Sequence, residues 1–157
     1  MISPQHLVNM FNRNTRIIGM QTNGLSHADS LLQPPYRGNC MNWVIGHIVR
    51  SRGVMLKTAF GSTISLTDEQ LHIYDKTEIT EDSDLVLALE QLLDSLNETQ
   101  QLITQAVTDI PTEKFMEPFS DSSTLGEYVV GFYFHDTYHT GQTEQLRQLT
   151  GVNDKVI

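Results

Sequence analysis

The stretch TLGEYVVGFYFHDTYHTGQTEQLRQLTG, residues 124–151, decides the fold of this chain. Thr124 stands three residues before Glu127, the pattern of a capping box that closes the start of a helix. Gly151 is a natural stop at the other end. Between them, positions spaced by three and four pick out Leu125, Tyr128, Phe132, His135, His139, Gln142, Leu146 and Leu149. The ends of that line form an ordinary core-facing seam, and its middle is two imidazoles and an amide. Side chains on such a line face neighbouring helices rather than water. A polar group buried there without a partner costs about 1–3 kcal/mol. The spacing therefore predicts a long helix over 124–150 whose central polar groups need partners.

The same periodicity recurs upstream. Ser3 followed by Pro4 reads as an N-cap with proline in the first turn. Leu7, Phe11, Ile18 and Leu25 mark the buried face of that first helix, interrupted by Asn14 and Gln21. The run Gln33-Pro34-Pro35-Tyr36-Arg37-Gly38 stops any helix. A second helix is predicted after Asn39 as cap, running to Phe60 before Gly61, with Met41, Val44, Ile45, Ile48, Met55, Leu56 and Ala59 inward. Residues 61–80 read as a connection with at most one helical turn near Thr67-Asp68-Glu69-Gln70. A third helix is predicted from Asp82-Ser83, about 25 residues long, with Leu85, Leu89, Leu92, Leu96, Ile103 and Ala106 as its stripe. Pro111 ends it, and 111–123 form another connection. Strands are not expected, because no segment alternates apolar and polar residues cleanly. The fold expected is all-α: a single domain over 1–157, a four-helix bundle joined by long crossover connections rather than tight hairpins.

Composition narrows the function classes. The chain has 157 residues, 39% hydrophobic and 18% charged, the balance of an ordinary globular domain. Nineteen acidic residues against ten basic ones give a net charge of −9. Phosphate binding requires clustered Lys and Arg, so neither a nucleic acid nor a membrane is expected as partner. No apolar run approaches the ~20 residues of a membrane span. The N-terminus lacks the pattern of a secretory signal, so a cytoplasmic location is expected. Cys40 is the only cysteine, which rules out an internal disulfide and a cysteine-rich zinc cluster.

Chemistry concentrates on the histidines. His135 and His139 are four residues apart, so on a helix their rings share a face with an axial rise of about 6 Å. Both can reach one ion, and neutral imidazole is the commonest metal-binding side chain. His47, inside the apolar helix segment Asn42-Trp43-Val44-Ile45-Gly46-His47-Ile48-Val49, is the candidate third ligand. Its alternative is a buried histidine bonded to a backbone carbonyl or a neighbouring Asp. His6, His27 and His72 fall at a helix start, in a helix end and in a loop, and carry no such expectation. Three imidazoles without a carboxylate would leave a divalent ion its full charge and an open position, the pattern of a catalytic site.

Asn42-Trp43-Val44-Ile45-Gly46-His47, then Thr124-Leu125-Gly126-Glu127, then His135-Asp136-Thr137-Tyr138-His139-Thr140-Gly141-Gln142 with Leu146-Arg147 and Gly151, resemble the DinB-like superfamily of metal-dependent helical bundles. The resemblance runs through nearly the whole chain. It implies a four-helix bundle, often a homodimer, with a divalent metal (nickel, zinc or iron) held by one histidine of the second helix and two of the last. His47, His135 and His139 match those positions. Some relatives are thiol S-transferases, and others act as hydrolases or isomerases.

The favoured expectation is a metal-dependent transferase acting on a small-molecule thiol and an electrophilic substrate. Trp43, Tyr128 and Phe132 are candidates for the apolar wall of its pocket, with core packing as their alternative. Gln142 is a candidate hydrogen-bond partner for a ligand or the substrate. Asp136 could orient a ligand or form an exposed salt bridge. A metallohydrolase is the second expectation, since His135-Asp136-Thr137-Tyr138-His139 resembles the H-E-x-x-H motif with Asp for Glu. A non-catalytic metal-binding helical bundle is the third.

Overall fold

The computed structural model describes residues 3–75, 79, 85–108 and 110–156. Its architecture is almost entirely helical: α1 (Pro4–Thr22), α2 (His27–Ser30), α3 (Met41–Phe60), α4 (Asp68–His72), α5 (Leu89–Thr108) and α6 (Leu125–Leu149). Local chemistry explains most boundaries. The Ser3 hydroxyl accepts from the His6 N–H to start α1, and Thr124 and Glu127 form the reciprocal box that starts α6. Gly61 ends α3 at φ 69°, a left-handed conformation that glycine adopts without penalty. Thr67 and Gln70 cap the single turn of α4.

Several expectations change. The cap of α3 is Cys40 rather than Asn39. His27 opens the short α2 instead of ending a helix, and His72 closes α4 instead of lying in a loop. The third long helix begins at Leu89, so Leu85 precedes it; Asp82 and Ser83 lie outside the described residues. Its late start has a tertiary cause. The Leu87 N–H donates to the Tyr74 hydroxyl, the Leu87 carbonyl accepts from Asn42 Nδ2, and the Leu89 N–H donates to His27 Nδ1. Those backbone groups are committed to partners outside a helix. The connection before α6 holds a 3-10 turn (Thr112–Met116) and a small antiparallel pair, β1 (Pro118–Ser120) with β2 (Ser123–Thr124), where no strand was expected.

The four long helices pack in a ring. Both α1 and α3 pack on α5 and α6, so α1 lies diagonal to α3, and α5 to α6. The core within that ring is split. One apolar cluster gathers Ile18, Val44, Ile45, Ile48, Leu92, Leu96 and Leu146. The other gathers Leu7, Phe11, Met55, Leu56, Ile103, Val107 and Val129. Along each helix a buried polar residue falls between the two: Thr15 on α1, Arg52 on α3, Thr99 on α5 and Asp136 on α6. Among the described residues no helix is long and apolar enough to cross a membrane.

Candidate metal centre

Three imidazoles converge where α3 faces α6. One ring nitrogen from each of His47, His135 and His139 lies within 4.8 Å of the other two. The Nε2 atoms of His47 and His135 are 3.1 Å apart. His47 also has the backbone partner raised as its alternative: its Nδ1 lies 2.7 Å from the Tyr74 carbonyl. The two readings hold together. Tyr74 takes the single N–H of a neutral ring, which turns the Nε2 lone pair toward the other histidines. His139 repeats the device, with its Nδ1 2.8 Å from Gln142 Oε1. A ligand ring whose other nitrogen is held by an acceptor is the usual arrangement behind a metal.

Burial sets the protonation state. It lowers the pKa of all three rings, and for His135, where the neighbouring charges of His139 and His47 add to burial, the value falls to about 4. At neutral pH the rings are therefore uncharged, the form that binds metal. Two lone pairs 3.1 Å apart repel unless a cation or a shared proton lies between them. Metal–nitrogen bonds of about 2.0–2.1 Å span that separation at an angle of roughly 100°. The donor set fits a divalent ion.

The residues around the rings divide clearly. Trp43 stacks on His47, with centroids 4.5 Å apart and planes at 12°, and meets His139 edge-on. Its buried Nε1 has no partner among the described residues. Tyr128 and Phe132 pack on each other, and Tyr128 on Phe119 beside the short strands. Of the three aromatic candidates, only Trp43 has a ring contact with the imidazoles among the described residues. Tyr138, not singled out from the sequence, lies edge-on to His139 and is largely exposed.

Asp136 does not form an exposed salt bridge. It is 2% exposed and its Oδ2 accepts from Arg52 Nη2 at 2.7 Å and Nε at 3.1 Å, with Arg52 itself 1% exposed. The deepest line of α6 is accordingly Val129, Asp136, Thr140, Thr143 and Arg147, and the histidines sit half-buried on its flank. Helical periodicity identifies a face but not which of two adjacent lines lies deeper.

Tyr74 is the other contributor that sequence reasoning missed. Its ring is fully buried against Gly46, where any Cβ would overlap it. Its hydroxyl donates to Asn42 Oδ1 while accepting from the Leu87 N–H. Burial holds that phenol protonated, with its pKa pushed up to about 12. The glycine before His47 was the available signal, since a small residue inside an apolar helix marks a close approach.

A helical frame that brings together three neutral imidazoles, two of them oriented by acceptors behind the ring, defines a class: helical proteins with a three-histidine centre. The chain belongs to the DinB superfamily, whose family model matches residues 20–143. Among solved structures it is similar to a conserved protein from Enterococcus faecalis, with a TM-score of 0.77 at 16% identity, covering 96% of this chain and 98% of that one. At that identity the likeness speaks to the fold alone. No curated protein matches the sequence.

Proposed function

We propose that this protein is a metal-dependent enzyme in which His47, His135 and His139 hold a divalent cation, nickel or zinc in first place and iron in third. We read its ring of helices as the four-helix bundle with crossovers expected for the family. The reaction proposed is transfer of a small thiol to an electrophilic substrate. The observation that carries it is the donor set: three uncharged nitrogens within 4.8 Å, joined by no carboxylate among the described residues. Such a cation, when bound, keeps its full charge and favours a thiol as its nucleophilic thiolate.

The chain's own residues have definite parts in this reading. The Tyr74 carbonyl fixes the tautomer of His47 and the Gln142 amide oxygen that of His139. Trp43 forms an apolar wall against His47, keeping water from that side of the centre. Asp136 is taken up by Arg52, so the general base that a zinc-protease mechanism would need is engaged elsewhere.

The test compares metal-loaded protein with His135→Ala for turnover of a low-molecular-weight thiol plus a generic electrophile. Turnover that depends on His135 supports the transferase. Equal rates would remove it, and metal binding without turnover of either thiol or ester substrates would leave a non-catalytic metal protein.

A further inference from the structure

Arg52 is the most completely buried charged side chain among the described residues, and it touches all four long helices. From α3 it donates to Asp136 on α6, to the Thr15 hydroxyl on α1 at 2.9 Å, to the Phe11 carbonyl on α1 at 3.4 Å, and to the Thr99 hydroxyl on α5 at 3.3 Å. Its guanidinium also lies 5.5 Å from the centre of the Phe11 ring. Thr15, Arg52, Thr99 and Asp136 thus form one polar cross-section between the two apolar clusters. A buried ion pair is weak evidence for stability, because desolvation offsets most of its attraction. Its best-attested use is to set register between helices.

We propose that the Arg52–Asp136 pair is a positioning device for the metal centre, fixing α3 against α6 so that the three imidazoles meet before any ion arrives. This rests on the metal reading above. Asp136 directly follows His135 and precedes His139 by three residues, and Arg52 lies five residues beyond His47. The pair therefore joins the same two helices as the ligands, beside them. Near the centre α6 buries Asp136, Thr140 and Thr143, small or polar side chains that make a shallow ridge. Such a surface opposes axial sliding poorly. A slip of one turn would displace His135 and His139 by about 5.4 Å relative to His47, more than the spread of the whole donor set. The 2.7 Å bond between Arg52 and Asp136 is what fixes the register there.

Removing either partner alone strands a charge in the interior, so the decisive variant replaces both, Arg52→Met with Asp136→Leu. This leaves the net charge beside the rings unchanged but removes the Asp136 charge felt at His139, so geometry is read from the ligand-field spectrum as well as from affinity. The milder Arg52→Lys keeps the charge but loses the fork that reaches Thr15, Thr99 and Phe11 together. Zinc affinity is measured by competition with a chelating dye, and ligand geometry by the visible spectrum of the cobalt(II)-loaded protein. The expected result is a double variant that unfolds cooperatively with the helical signal of the wild type. It binds zinc about 10–100-fold more weakly and gives an altered cobalt spectrum, with Arg52→Lys intermediate. Wild-type affinity and spectrum in the folded double variant overturn the proposal. If the double variant does not fold, the same result in Arg52→Lys overturns it. Failure of the wild type itself to bind zinc or cobalt would instead bring down the metal reading, and the positioning role with it.

Discussion

α5 and α6 are neighbours of the same two helices, yet their buried faces differ in balance. α5 presents Leu89, Leu92, Leu96, Ile103 and Val107 inward, with Ser95, Thr99 and Gln100 as the polar minority of that face. α6 has Leu125 and Val129 near its start and Leu146 near its end, but Asp136, Thr140 and Thr143 between them, with His135 and His139 alongside. The apolar face stabilises by removing area from water, roughly 25 cal/mol per Å2. The polar face gains little that way and requires a partner for each group. What α5 contributes is frame; what α6 contributes is a site that the frame must hold in place.

That division can be broken or sharpened by substitution. The largest effect is expected from His135→Ala, which should abolish tight metal binding while leaving a folded helical protein by circular dichroism; retention of metal would erase the distinction. Leu96→Ala on α5 should do the opposite, lowering stability by about 2–5 kcal/mol in denaturant unfolding and leaving zinc affinity unchanged in the protein that remains folded. A comparable loss of affinity would show that α5 also sets the site.

Gly46→Ala is smaller and more local. The added methyl must displace the Tyr74 ring, and with it the carbonyl that orients His47. Zinc affinity should drop about 10–100-fold, and emission from Trp43, which stacks on His47, should shift. An unaltered affinity would make the turn at Tyr74 mere packing. The smallest effect concerns protons. In metal-free protein the folded state holds His135 with a pKa of about 4 against 6.5 for a free imidazole. Between those values the unfolded chain binds more protons, so stability falls as pH drops through that window. With a chelator present, His135→Ala should lose less of its Tm across it; parallel slopes for the two proteins would contradict the burial of a neutral ring.

Much of this was legible from spacing. The Ser3-Pro4 start, the Thr124–Glu127 box and the Gly61 stop are local signals that lie where their patterns indicated; the three histidines converge, with the pair on α6 on the flank of its deepest line rather than in it. What escaped depends on contacts between distant segments. Arg52 and Asp136 pair across 84 residues, and nothing in either neighbourhood distinguishes a buried pair from two surface charges. The start of α5 was misplaced because Tyr74, Asn42 and His27 claim backbone groups that the leucine pattern assigns to a helix. Tyr74 acts on His47 through its main-chain carbonyl, which carries no side-chain signature.

The most direct measurement is elemental analysis of protein purified without a histidine tag, beside His47→Ala prepared in the same way. About one divalent ion per chain in the first, lost in the second, is the outcome expected of a single centre that draws its ligands from two helices. Metal-free wild-type protein that takes up no nickel, zinc or iron on addition, or metal content indifferent to the loss of His47, would contradict it.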